Sequence, residues 1–248
     1  MRSQERTQCA NARFCERVYG RNLTQYGAAD MPQIDFMIRL IGLNERTHAL
    51  DIGCGIGTMS EYMASVSGAT ITGIDFSELL IARAKERVKD KGARLRFLVG
   101  QMDELDFPPN SFDVIVSIDS LYFAKDLKQT IAGLIRLLKP GGQMGLFHSQ
   151  AGGPDDSLEC LESDKTTLAL ALRAGGASFI AYDQTDANIE LFQRSKETAE
   201  ALKKEFETEG NGELINGRIG EGNAVLELAK AGKYRRYLYH VTGVDRHP

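Results

Sequence analysis

The sequence predicts an α/β protein with helices on both faces of a mostly parallel sheet. Three observations carry that expectation. Short apolar runs alternate with helix-period segments between residues 47 and 149. The run 112–118 is apolar almost throughout, as a strand is when both its faces are covered. A glycine-rich turn, Gly53-Cys54-Gly55-Ile56-Gly57, directly follows the first apolar run. Repeated β-α alternation closes into a parallel sheet through right-handed crossovers. Seven candidate strands are present, so the expected architecture is a doubly wound, seven-stranded sheet.

The polar N-terminus carries one expected helix at 11–19. Asp30-Met31-Pro32 reads as a helix start, with Asp30 as N-cap and proline in the first turn. Ile34, Met37, Ile38 and Ile41 then follow helical spacing until Gly42. The first strand is expected at 47–52 and the second at 70–74. Ser77 caps a helix with apolar positions at Leu80, Ile81, Ala84 and Val88. Third and fourth strands fall at 95–99 and 112–118. A helix over 126–138 stops at Lys139-Pro140-Gly141-Gly142, and a fifth strand covers 143–148. Beyond Ser149 the alternation weakens. The pattern there gives a helix at 158–173, a strand at 177–182, and helices at 188–207 and 213–231. Glycines break the last of these, and a final strand covers 234–241.

At 248 residues the chain suits one domain, or one domain with an insertion. Hydrophobic residues at 42% and charged residues at 26% place it among ordinary globular proteins. The net charge of −4 gives no general nucleic-acid footprint, so no nucleic-acid partner is expected. No run approaches the roughly 20 apolar residues of a membrane span. The polar N-terminus lacks a signal-peptide core, which makes a cytoplasmic location the expectation. Cys9, Cys15, Cys54 and Cys160 are scattered without a C-x-x-C pair, so neither a metal nor a disulfide is expected.

The glycine turn distinguishes among nucleotide-like ligands. The dinucleotide pattern G-x-G-x-x-G requires glycine at 58, where Thr58 stands. Asp51, just before the turn, places like charge beside a pyrophosphate and suits a ligand bearing an ammonium group. A nicotinamide oxidoreductase is therefore disfavoured. Asp75 ends the second strand, 24 residues after Asp51, where an acid accepts hydrogen bonds from ribose hydroxyls. Phe76 follows it with a flat apolar face for a base.

The motif Asp51-Ile52-Gly53-Cys54-Gly55-Ile56-Gly57 resembles the first motif of the class I S-adenosylmethionine-dependent methyltransferases. Gly100-Gln101-Met102-Asp103 through Pro108 resembles the family's third-strand motif, with Gln101 where Asp is usual. Asn110 to Ser117 resembles its fourth strand, and Leu137 to Gly142 resembles the turn before its fifth. The resemblance covers about residues 47–149. It implies an antiparallel last strand, S-adenosylmethionine as cofactor, and S-adenosylhomocysteine as product. It divides the single domain 1–248 into an N-terminal helical lid (1–46), a cofactor core (47–149), a helical roof over the acceptor (150–232) and the last strand (233–248). Cofactor contacts are then expected from Tyr19 and Tyr26 of the lid, and from Asp51, Ile52, Gly53, Cys54, Gly55, Gly57 and Met59 of the loop. Asp75, Phe76, Gln101, Met102, Asp103, Ser117 and Ile118 complete the set, with the polar base contact falling to Gln101 or Asp103.

The implied activity is direct displacement of a methyl group onto N or O of a small-molecule acceptor, by a monomer or homodimer. The alternatives are an enzyme of the same fold acting on RNA or protein, and a non-catalytic protein that binds the cofactor. Candidate acceptor groups sit where the strands end: Asp119, Tyr122, Phe123, Ser149 and Tyr182. His148 ends the fifth strand, and its ordinary pKa near 6.5 suits a general base. Tyr122 joins it as a catalytic candidate. His48, at the opposite end of its strand, is expected to lie away from the chemistry.

Overall fold

The computed structural model describes residues 9–90 and 93–244. The first eight residues of the expected lid and residues 245–248 of the expected last segment lie outside the described residues.

One sheet contains seven strands in the order β3-β2-β1-β4-β5-β7-β6. They are β1 His48–Ile52, β2 Thr70–Asp75, β3 Leu95–Val99, β4 Phe112–Ile118, β5 Leu138–Ala151, β6 Ala177–Asp183 and β7 Tyr234–Val244. Strands β1 to β5 pair in parallel, and β7 runs antiparallel to both β5 and β6. That reversal matters for the site. It lays the beginning of β7 beside the end of β5, with Ser149 opposite Arg236 and Ala151 opposite Tyr234. Residues from the C-terminal part of the chain thereby reach the edge where the parallel strands end.

Helices cover both faces. Helices α2 (Met31–Leu40) and α3 (Thr58–Ser67) bury Ile34, Met37 and Met63 against Ala49, Val116 and Phe147. On the other face α5 (Leu127–Leu137) and α6 (Thr167–Ala174) bury Ile131, Leu134 and Leu168 against Leu50, Ile115 and Tyr239. Helix α4 (Glu78–Val88) adds Ile81 and Ala84 against Phe97. A separate apolar cluster joins α1 (Ala10–Tyr19), α7 (Thr185–Thr208) and α8 (Gly212–Lys230) through Phe14, Leu191, Phe206 and Ile215.

The helix starts follow side-chain chemistry. Asp30 and Gln33 form a reciprocal capping box, with Gln33 N–H donating to Asp30 at 3.2 Å and Asp30 N–H donating to Gln33 at 3.1 Å. Ser77, Asp126 and Thr166 each accept an N–H from their own first turn.

Helix α7 begins three residues before the expected 188 and strand β7 runs three residues past the expected 241, and three elements differ further from expectation. The helix expected at 158–173 is split into a 3₁₀ turn at Leu158–Leu161 and α6. Thr166 makes the break: its hydroxyl caps Ala169 N–H at 3.1 Å and bonds Tyr239 at 2.7 Å, so the chain must restart there. Strand β5 extends beyond 143–148 in both directions, because Leu138 pairs with Phe112 and Ala151 with Tyr234. Helix α8 is unbroken across its glycines. Gly222 packs against the Phe192 carbonyl and Lys196 of α7. Among the described residues no helix is long and apolar enough to cross a membrane.

Candidate functional site

The strand ends of β1, β2 and β4 open onto one cleft. Two hollows of about 430 and 450 Å³ share Gly53, Asp75, Phe76, Asp119 and Phe123, and so adjoin.

The loop after β1 is held by backbone bonds. Gly53 N–H and Cys54 N–H both donate to the Ile74 carbonyl at 2.9 Å. Gly55 N–H donates to Asp75 Oδ2 at 3.0 Å. Gly57 has φ of 74°, a left-handed conformation that disfavours a side chain. A Cβ there would also stand 2.5 Å from the Phe97 ring. Gly57 therefore shapes the turn from beneath and lies outside the lining of the cleft, as does Ile52, whose carbonyl accepts from Ser120.

Two carboxylates face the cleft from this side. Asp51 is buried, and Ser60 donates to its Oδ2 at 2.5 Å. Burial pushes its pKa up to about 6 against the Ser60 bond, with the neighbouring Asp75 charge adding to the rise. Asp75 accepts Ser77 N–H at 2.9 Å and Gly55 N–H at 3.0 Å, one on each oxygen. A carboxylate offers about four acceptor positions, so two remain for a ligand. Cys54 and Met59 line the same hollow. Burial, reinforced by Asp51 and Asp75, raises the Cys54 thiol pKa and keeps it protonated.

The far wall carries Phe76, Gln101, Met102, Asp103 and Phe123. Phe76 and Phe123 are open, at 64% and 69% exposed, and both line this hollow. Lys125 Nζ donates to Gln101 Oε1 at 3.0 Å, which leaves the Gln101 amide NH₂ as its unengaged end. Asp103 accepts Thr130 Oγ1 at 2.6 Å and Lys125 N–H at 3.2 Å, in front of α5. Burial opposes its ionisation, yet these bonds hold its carboxyl below the usual range.

The N-terminal segment closes the near side. Tyr26, Gly27 and Ala29 line the cleft beside Asp51 and Ile118. Tyr19 lies outside both linings. It is buried among Phe14, Leu191 and Phe206, and its hydroxyl accepts Arg218 Nη1 at 3.0 Å. Ser117 is also buried and bonds Ser120 at 2.7 Å.

Of the acceptor candidates, Asp119 and Phe123 line the cleft. Asp119 adopts φ of 57°, rare for a residue with a side chain, and its carboxylate is already engaged. Arg236, fully buried, donates to it at 2.6 and 3.0 Å, so Asp119 is not a free partner for a cationic acceptor. Asp119 raises the Arg236 pKa further, overcoming the cost of burial. Ser149 Oγ bonds Arg236 at 3.0 Å and Tyr234 at 2.8 Å. Tyr122 accepts Ser149 N–H at 2.5 Å, and its ring stacks on His148 at 5.0 Å between centroids. Burial around its hydroxyl, with Asp119 nearby, pushes the Tyr122 pKa up to about 12. Tyr182 packs on Phe36 of α2 at 5.3 Å, outside both linings.

His148 differs most from its expected role. It is buried, bonds Thr167 at 3.2 Å, and lies outside both linings. Burial, then the Arg236 charge, lower its pKa to about 4. It is neutral at pH 7 but a weak base. His48 lies at the far end of β1, bonded to Thr72 at 3.1 Å.

Sequence reasoning missed Arg236, Tyr234, Asn188 and Arg218. Arg236 carried a faint signal, an arginine flanked two positions away by Tyr234 and Leu238 within a strand. A buried charge there needs a partner, but nothing local names Asp119. Among the described residues no group of three His, Cys, Asp or Glu side chains gathers as a metal site.

Known proteins share parts of this sequence and its fold. Residues 49–142 match a family described as a methyltransferase domain. A phosphoethanolamine N-methyltransferase of Triticum aestivum is 27% identical over 234 residues, covering 90% of this chain and 46% of that protein. A sterol 24-C-methyltransferase of Gibberella zeae is 31% identical over 139 residues, covering 54% of this chain and 35% of its own. The chain thus spans about half the length of the plant relatives it matches. The structure of Haemonchus contortus phosphoethanolamine N-methyltransferase 2, in complex with phosphomonomethylethanolamine and S-adenosylhomocysteine, superposes with a TM-score of 0.79. It is 24% identical and is matched over 97% of this chain and 59% of its own, a likeness of fold.

Proposed function

We propose that this chain, which belongs to the class I S-adenosylmethionine-dependent methyltransferases, transfers a methyl group from S-adenosylmethionine to the nitrogen of a small polar amine. The observation that carries the reading is the single cleft running from Asp51 and Asp75 to Asp119. Its carboxylates suit the cofactor: one for an ammonium group at Asp51, and spare acceptor positions for a diol at Asp75. Phe76 and Met102 supply apolar surface for a base. Bound there, the cofactor supplies an electrophilic methyl group on a sulfonium, whose departure leaves a neutral thioether.

The chain's own residues have limited chemical work in such a displacement. They align the reactants and exclude water, which suffices when the nucleophile carries its own lone pair. A neutral amine qualifies and loses its proton to solvent afterwards. A hydroxyl needs a base within reach, and His148 is withdrawn and weakened for that role. The plant N-methyltransferase relative aligns with 90% of the chain, against 54% for the sterol relative, which supports nitrogen over carbon.

Calorimetric titration with S-adenosylmethionine tests the cofactor assignment. Asp75→Ala is expected to weaken binding at least tenfold, the scale of losing hydrogen bonds to a charged group. Unchanged affinity would sink the assignment. A cofactor-consumption screen over amines, phenols and carboxylates tests the acceptor. Turnover of amines alone is expected, and turnover confined to hydroxyl or carbon acceptors overturns the nitrogen reading. Binding without turnover across the screen leaves the non-catalytic alternative.

A further inference from the structure

At the edge of the cleft, six residues from five elements close a ring of hydrogen bonds. Arg236 Nη1 of β7 donates to Asp119 at 2.6 Å and to Ser149 Oγ at 3.0 Å. Ser149 and Tyr234 bond through their hydroxyls at 2.8 Å. Tyr234 donates to Asn188 Oδ1 at 2.5 Å, so Ser149 is the donor in the preceding bond. Asn188 Nδ2 donates to the Ala28 carbonyl at 2.5 Å. Ala28 N–H donates to Asp119 Oδ2 at 2.7 Å and closes the circuit.

Each link of the ring has one donor and one acceptor, while the buried Arg236 Nε–H beside it has no partner among the described residues. Arg236 and Asn188 are fully buried and Tyr234 nearly so, which leaves little water to replace a broken link. Ala28 is the ring's sole member from the N-terminal segment, and both its backbone polar groups are used. Its neighbours Tyr26, Gly27 and Ala29 form the near wall of the cleft. Either side of Ala28, the segment is held by other side chains, through Arg218 to the Gln25 carbonyl at 3.4 Å and Arg194 to Asp30 at 3.0 Å. The ring therefore fixes the middle of the wall.

We propose that Asn188 and Tyr234 are positioning residues for the cofactor cleft. They touch no ligand themselves. They hold segment 24–29 against Asp119, so that release of the cofactor product requires Ala28 to leave both Asp119 and Asn188. This rests on the proposed function, since it takes S-adenosylhomocysteine as the occupant. It assigns the hold on the wall to helix α7 and strand β7, distant in sequence from the glycine loop.

The test measures S-adenosylhomocysteine release by stopped-flow displacement in the whole chain, well below the melting temperature. Asn188→Ala removes two links and is expected to release the ligand roughly tenfold faster, the effect of about one buried hydrogen bond. Tyr234→Phe also breaks two links but leaves Asn188 on the Ala28 carbonyl, and is expected to speed release about two- to fivefold. With a turned-over acceptor, KM for S-adenosylmethionine rises more than kcat falls. A purely structural role would lower the melting temperature and leave release rates unmoved. Wild-type release rates in variants that still bind overturn the proposal. If Asn188→Ala fails to fold, the conservative Tyr234→Phe decides alone. Failure of the wild-type chain to bind S-adenosylhomocysteine overturns the proposed function, and the ring's role with it.

Discussion

The wall of the cleft built from β1 and β2 is backbone. Its backbone N–H groups do the bonding: Gly53 and Cys54 donate to the Ile74 carbonyl, and Gly55 to the Asp75 carboxylate across 20 residues. The wall beside it, formed by the N-terminal segment and Asp119, is held by side chains, and its bonds reach across the whole chain: 91 residues from Ala28 to Asp119, 117 from Asp119 to Arg236, and 160 from Ala28 to Asn188. A backbone wall tolerates few side chains, because glycine conformations and close approaches set its shape. A side-chain wall depends on charge and polar partners that are costly to bury singly. The first kind of wall presents a fixed cradle. The second can be released one bond at a time.

The largest effect should come from breaking the side-chain wall at its charge. Arg236→Met leaves Asp119 enclosed without its cation and is expected to cost about 3–5 kcal/mol in thermal or denaturant unfolding. Adding Asp119→Asn should restore part of that loss, and a strictly additive double variant would show that the pair is not coupled. The backbone wall should break next. Gly57→Ala imposes a left-handed alanine and a clash with Phe97, for a loss of about 3 kcal/mol together with S-adenosylhomocysteine binding. Near-wild-type stability there would mean that the loop relaxes freely and is not a fixed cradle.

A smaller and opposite effect is expected at Asp51. Its folded pKa of about 6 lies above the ordinary carboxylate range, so the folded chain holds this proton more tightly than the unfolded chain. As pH rises from about 4 to about 6 the unfolded chain ionises first, stability falls, and the deficit persists above that window. Asp51→Asn should therefore stabilise the ligand-free chain by about 1–3 kcal/mol at pH 8 and change little near pH 3. It should also weaken S-adenosylhomocysteine binding at least tenfold. An Asp51→Asn chain that is less stable at pH 8 would show that Ser60 and its surroundings already compensate the charge.

Much of the backbone wall was legible in the sequence. Asp51, the three glycines and Asp75 lie within one β-α-β stretch, where spacing and strand ends determine who meets whom. Strands β3 and β4 were read at their observed bounds for the same reason. The other wall was not legible. Asp119 appeared as an open acid because its cation stands 117 positions later. His148 appeared as a base at its ordinary pKa because nothing local announces that Thr167, Tyr122 and Arg236 enclose it. Thr166 split an apolar helical run through a bond to Tyr239, 73 residues away.

The sequence by itself determined the doubly wound sheet, the order of its first five strands' motifs, and a glycine loop with an acid that disfavours pyrophosphate. Those features follow from local periodicity, turn conformation and charge. Only the tertiary structure decided which side chains were spoken for. The antiparallel run of β7 brings Arg236 and Tyr234 to the edge where β4 and β5 end, and helix α7 brings Asn188 to Ala28. A buried polar group must find its partner wherever the fold delivers one, and that partner's position in the chain carries no local signature.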